Sequence, residues 1–315
     1  MDSGEQPGNQ RERRQCSDGE LTARGIRLKD APLLSFLGFL AALSAAFFLP
    51  LRDLARHASG SEIHSYVLLI PFVTGYLIYL KRDRLPNQYD GSRGWAVLPA
   101  LAGAAALVVV WLLRRREPAP SVNDVLTLQT LAFVSWTIAG GFVFLGRSWV
   151  RTLAFPLAFL MLVIPLPDQA VDSLETGSKL ASAEVAGLLF KASGVPVYRE
   201  GLVFHLPGVS MEVAQECSGI RSSLVLMITA LLAAHLFLST TWRQALFLAF
   251  VIPLGILRNG IRILVLGLLS VYVSPEVLHS FIHNRGGPVF FVLSLIPLGA
   301  VLWWLMRGER RSRPV

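Results

Sequence analysis

The sequence predicts an all-α fold: a polytopic transmembrane helix bundle of about eight spans with one small extracytoplasmic segment. Three observations predict it. The 315 residues are 53% hydrophobic and only 16% charged, with a mean hydropathy of +0.53, whereas a soluble domain carries about a quarter charged residues. Apolar windows near the roughly 20 residues that cross a hydrocarbon layer of about 30 Å recur around 33–51, 64–80, 95–113, 125–145, 149–166, 218–238, 245–270 and 288–306. These windows are continuous and rich in Leu, Ala, Val and Phe, unlike the short alternating strands of a closed barrel, the other architecture that satisfies its backbone in lipid.

The elements follow in order. Residues 1–30 form a polar, basic arm with the composition of a disordered cytoplasmic segment. It is too long to be the charged head of a cleavable signal peptide, so the first span is expected to stay in the protein. Residues 31–166 hold the N-terminal spans, 167–216 the extracytoplasmic segment, 217–306 the spans expected to carry the chemistry, and 307–315 a basic cytoplasmic tail. Placing both termini inside puts Lys81, Arg82, Arg84, Arg93, Arg147, Arg151, Arg243, Arg307, Arg310, Arg311 and Arg313 on the cytoplasmic side with the arm, as positive charge prefers. The run Arg114 to Glu117 is the one block that disagrees. The net charge of +8 therefore reports topology and an attraction for anionic membrane lipid. No basic, aromatic-interleaved surface argues for nucleic acid.

Within 167–216, the stretch "PDQAVDSLETGSKLASAEVAGLLFKASG" mixes polar, small and apolar residues at loosely helical spacing. That suits an interfacial or short re-entrant helix, with a ninth span at 176–193 as the alternative. "VPVYREGLVFHLPGVSMEVA" alternates around "EG" and "PG" turn signals, which predicts a small hairpin.

The chemistry gathers at one depth. With the sixth span ending inside near Leu238, Cys217 lies 21 residues away, about 30 Å at 1.5 Å per residue, at the outer interface. Arg221 is one turn deeper on the same face. In "ILRNGIRIL", Arg258 and Arg262 share a face at i, i+4 and stand roughly 20–26 Å along the seventh span, with Asn259 beside them. His279, His283 and Arg285 sit at the outer start of the eighth span. Intramembrane ionisable residues cost about 2.5–3.5 kcal/mol each on insertion scales and mark function. A nearby cation or base turns a thiol into the attacking thiolate, guanidinium groups stabilise an oxyanion, and a histidine protonates a leaving amine. The set points to acyl transfer or peptide cleavage. The bland readings stand beside it: Cys217 as a small buried hydrophobe, Arg258 as a snorkelling anchor, His279 and His205 as ordinary interface or loop histidines. Glu212 and Glu216 favour a helix N-terminus. The competing class is a non-enzymatic transporter or assembly scaffold whose arginines bind an anionic or polysaccharide substrate. Neither a Gly-x-Ser-x-Gly elbow nor a His-Glu-x-x-His pair occurs, so no metal and no cofactor is expected.

"ECSGIRSS", "IPLGILRNGIRIL" and "HNRGGPVFF", with "FPLAFLMLVIPLP" before the outer segment, resemble the signature blocks of the exosortase/archaeosortase family over roughly 150–300. The resemblance implies a membrane-embedded cysteine transpeptidase or protease of the inner membrane, working at its extracytoplasmic side. Its partners would be exported proteins that end in a short motif such as Pro-Glu-Pro, a transmembrane helix and a basic tail. The family's catalytic cysteine falls on Cys217, its arginine on Arg262, three residues after Asn259, and its third-block histidine on His283, with Arg285 as the alternative for that role. Arg221, Arg258 and Asn259 are left as possible supporting residues.

The expected topology is tested by a membrane-impermeant maleimide on a variant whose arm thiol is removed (Cys16→Ser). Cys217 is labelled in cells with an opened outer envelope, whereas labelling only in inverted vesicles contradicts this orientation.

Overall fold

The computed structural model describes residues 31–61, 63–86, 88–213, 219–273 and 287–312. The described residues form eleven α-helices and one small sheet, an all-α polytopic membrane architecture. Among the described residues, five helices are long and apolar enough to cross a membrane, or up to seven if each of two bent pairs is one span. The second apolar window, 64–80, forms the shorter helix Ser65–Leu80. The count falls below the eight windows of the sequence because that helix is short and because two others break, giving the pairs Ala31–Ala46 with Phe48–Gly60 and Ala154–Val163 with Asp168–Ser193. α1 (Ala31–Ala46) and α2 (Phe48–Gly60) are bent by 70°. Pro50 lies four residues after Ala46 and has no N–H for its carbonyl, which weakens the ladder there. Pro165 and Pro167 interrupt the second pair in the same way.

The chain divides into two compact units: 1–54 with 70–120 and 125–164, and 55–69 with 121–124 and 165–315. In the first, α3 (Ile70–Leu80), α4 (Arg93–Leu113), α5 (Val122–Gly140), α6 (Arg147–Thr152) and α7 (Ala154–Leu160) follow α1 and α2, with α2 and α5 each running partly into the second unit. Phe47 and Trp136 meet edge to face, and Trp136 donates its indole N–H to the Ala100 carbonyl at 3.1 Å. Gly103 makes that packing possible, because a Cβ there would lie 2.5 Å from the Trp136 ring. Gly146, at φ +96°, pairs with Asp90 through an isolated β-bridge.

The second unit is built around α10 (Thr241–Tyr272), 32 residues long or about 48 Å. Before it come α8 (Asp168–Ser193), strands β1 (Tyr198–Glu200), β2 (Val203–Leu206) and β3 (Val209–Glu212), and α9 (Ile220–Phe237); α11 (Gly287–Ser312) follows. One side of α10 packs on α8 and the sheet, in a core that includes Ala183, Ala186, Phe190, Phe204, Met211, Ile263 and Leu266. The other side packs on α9 and α11 around Leu226, Phe247, Val251 and Leu298. Glycines set these distances: a Cβ on Gly260 would stand 2.7 Å from Val185, and one on Gly267 2.5 Å from Phe190. Such close approach by small residues is how membrane helices gain packing where lipid offers no hydrophobic drive.

The stretch expected to lie outside the membrane is richer than the hairpin its sequence predicts. α8 runs 26 residues, and by itself it is not among the helices apolar enough to span. Its start is tied down by Asn123, whose amide donates to the Leu166 carbonyl and the Asp168 carboxylate, both at 2.7 Å. The strands form a three-stranded antiparallel sheet in the order β1-β2-β3. Glu200 pairs with Val203 and Leu206 with Val209, across two-residue turns in which Gly201 (φ +60°) and Gly208 (φ +81°) adopt the left-handed region. Both turns fall on the signals visible in the sequence; the third strand is the addition. Arg199 in β1 donates to Glu184 in α8 at 2.9 Å, and this hydrogen bond and charge hold the Glu184 carboxyl below its usual range.

Candidate active site

The site is assembled where the N-terminal turn of α9 meets the middle of α10. Arg258 is only 7% exposed, and its guanidinium does not run out toward water. Its Nη2 donates to the Gly219 carbonyl at 3.2 Å and to Ser223 Oγ at 3.1 Å. The same carbonyl also accepts from Ser222 Oγ and from the Ser223 N–H, each at 3.0 Å. Three donors on one carbonyl, one of them cationic, fix the entry to α9 firmly, since hydrogen bonds to charged groups are worth about 1.5–3 kcal/mol.

Gly219 is required there for two reasons. It precedes α9 at φ +68°, which side-chain-bearing residues rarely adopt. A Cβ would also lie 2.7 Å from the Asn259 side-chain oxygen. Gly255, one turn before Asn259, faces Ser223 at similarly close range, with a Cβ landing 3.0 Å from Ser223 Oγ. Gly219 of the first block and the "LRNG" of the second thus interlock through backbone and side chain, and Gly219 follows Cys217 by two residues in the sequence.

The arrangement revises one sequence reading. An anchoring arginine snorkels toward the interface, but Arg258 ends inside the protein on a backbone carbonyl of another helix. Its second terminal nitrogen, Nη1, is buried with no hydrogen-bond partner among the described residues. Asn259 is 2% exposed. Arg262, one turn along from Arg258, is half-buried, and Arg221 is exposed on the outer face of α9. Cys217, Glu216, His279, His283 and Arg285 lie outside the described residues. The described part of the site therefore joins two of the three sequence blocks. His205, on β2, is placed apart in the sheet, with Nδ1 2.9 Å from Ser210 Oγ.

Sequence reasoning missed Ser222 and Ser223 as hydrogen-bonding partners in this turn, and the signal for them was the serine pair in "GIRSS". Elsewhere, a groove of about 420 Å³ in the first unit, lined by Trp95, Phe142, Arg147, Arg151 and Met161 among others, contains none of these residues. No group of three or more His, Cys, Asp or Glu residues able to hold a metal ion occurs among the described residues.

A multi-pass α-helical membrane protein with a polar, arginine-clamped helix entry is the class these features define. The family model for transmembrane exosortases matches residues 55–300, and the chain belongs to that family. Membership supports a membrane-embedded role in processing sorting signals. No curated protein and no solved structure matches.

If the clamp governs function, Gly219→Ala and Arg258→Lys both reduce processing of a sorting-signal substrate about tenfold or more while the protein persists in the membrane. The alanine meets Asn259, and the lysine loses the planar fork. An immunoblot of substrate and enzyme checks this; full processing by Arg258→Lys contradicts a role beyond simple charge.

Proposed function

We propose that this protein is a cysteine-dependent transpeptidase or protease that cleaves the C-terminal sorting signal of exported proteins at the outer face of the inner membrane. The single observation that carries the reading is the hydrogen bond of buried Arg258 to the carbonyl of Gly219, two residues after Cys217 in the sequence. A buried cation is expensive in a membrane helix. Placing it on the Gly219 carbonyl and the Ser223 hydroxyl makes sense where the cysteine two residues earlier must be held still for chemistry.

On this reading the Cys217 thiolate attacks the scissile carbonyl, and Arg262 stabilises the negative charge that develops on the carbonyl oxygen. The C–N bond breaks as the leaving amine takes a proton from the His283 imidazolium; where Arg285 fills the third role it acts by its fixed charge, and the proton comes from water. The acyl group is then a thioester on Cys217. An incoming amine or water attacks it, loses a proton, and returns the thiol. Substrates are exported proteins ending in a short motif, one hydrophobic helix and a basic tail; the helix packs laterally against the bundle while the motif reaches the outer surface.

Co-expression with a tagged substrate of that form gives the test. Cys217→Ala and Arg262→Lys accumulate the uncut form at unchanged enzyme levels. His283→Ala is strongly impaired if that histidine fills the third role, and Arg285→Ala if the arginine does. Undiminished cutting by Cys217→Ala removes the thiol mechanism and favours the transporter or scaffold reading.

A further inference from the structure

At the far end of the helix pair from this site, where α10 begins and α11 ends, a groove of about 280 Å³ is lined by Trp242, Arg243, Trp303, Trp304, Arg307 and Gly308 among others. From its chemistry we infer that it binds the phosphodiester headgroup of an anionic phospholipid.

Arg243 is seated by the protein itself. Its Nη1 donates to the Leu305 carbonyl at 3.0 Å, and Gly308 leaves room for the guanidinium to lie against the α11 backbone, since a Cβ there would stand 3.2 Å from Nη1 and 3.4 Å from Nη2. Arg307 is held over the Trp303 ring at 3.5 Å. Two planar cations thus line one groove, and a guanidinium fork matches the oxygens of a phosphate.

No carboxylate lies among the described residues that line it. The adjacent acid, Glu309, is engaged with the turn between α9 and α10: it accepts from the Ser239 and Thr240 N–H groups and the Ser239 hydroxyl at 2.8–3.1 Å. The lining of the groove therefore carries positive charge. Trp242, Trp303 and Trp304 are each more than half exposed, and indole rings of this kind gather at headgroup depth. In sequence, Arg310, Arg311 and Arg313 follow directly, adding attraction toward an anionic leaflet. Exposed indoles flanking arginines at a helix end favour a lipid over a soluble acidic peptide, which would leave those rings in water.

The test uses the full-length protein in detergent micelles, titrated with phosphatidylglycerol, phosphatidylcholine or inorganic phosphate, with thermal unfolding and native mass spectrometry as readouts. Wild type retains phosphatidylglycerol in preference to phosphatidylcholine and is stabilised by it, while inorganic phosphate at the same concentration has no such effect. Arg307→Gln, which removes no hydrogen bond to another helix, needs about tenfold more phosphatidylglycerol for the same retention. The double variant with Arg243→Gln loses the preference. Equal retention of both lipids by wild type, undiminished retention by Arg307→Gln, or equal stabilisation by free phosphate overturns the inference. Catalytic competence is read separately, from Cys217 processing, so loss of either property is distinguishable.

Discussion

The second unit depends on a guanidinium buried at the middle of a long apolar helix. A charge in that position is tolerable only with strong acceptors close by, and Arg258 finds them on α9, at the Gly219 carbonyl and the Ser223 hydroxyl. Satisfying the cation therefore fixes where α9 starts relative to α10. The spacing between the helices is then not free: Gly255 and Gly219 must stay without side chains for the two backbones to approach. One electrostatic requirement thereby propagates into steric ones.

Those steric requirements make α10 the axis of the unit. Along its length it offers glycines toward different neighbours, Gly255 to α9 and Gly260 and Gly267 to α8, so helices approach it from more than one side. The sheet completes the enclosure through Phe204 and Met211, which lie in the same core as Ile263 and Leu266. α8 and the sheet are thus braced against the very helix that carries Arg258, Asn259 and Arg262. Such support from rigid elements is what a site needs to keep reacting groups within a fraction of an ångström.

Much of this was legible in the residues. Hydropathy located the membrane helices, because a run of about 20 apolar residues matches the thickness of the hydrocarbon layer and is too long for a core strand. The "EG" and "PG" pairs marked both turns of the sheet. The break after Ala46 was less visible: Pro50 signals it only once the helix is known to continue past it. β3 was also legible: "VSME" alternates apolar and polar residues and its exposure alternates with them, and two turn signals join three strands, one more than a hairpin holds. In the site, spacing alone put Arg258, Asn259 and Arg262 on one stretch of helix. Spacing does not show what a side chain reaches, and the acceptor of Arg258 is a backbone carbonyl on a different helix, which no residue type encodes. For that reason an anchor and a clamp look alike in sequence and differ sharply in structure.

Hydrogen–deuterium exchange of the full-length protein in micelles tests the clamp most directly, comparing wild type with Arg258→Met. Removing charge-assisted bonds worth about 1.5–3 kcal/mol raises exchange about tenfold or more in peptides covering the first turn of α9 near residues 219–226, while the remainder of α9 is unchanged. Unaltered protection at 219–226 in a folded Arg258→Met protein contradicts the account.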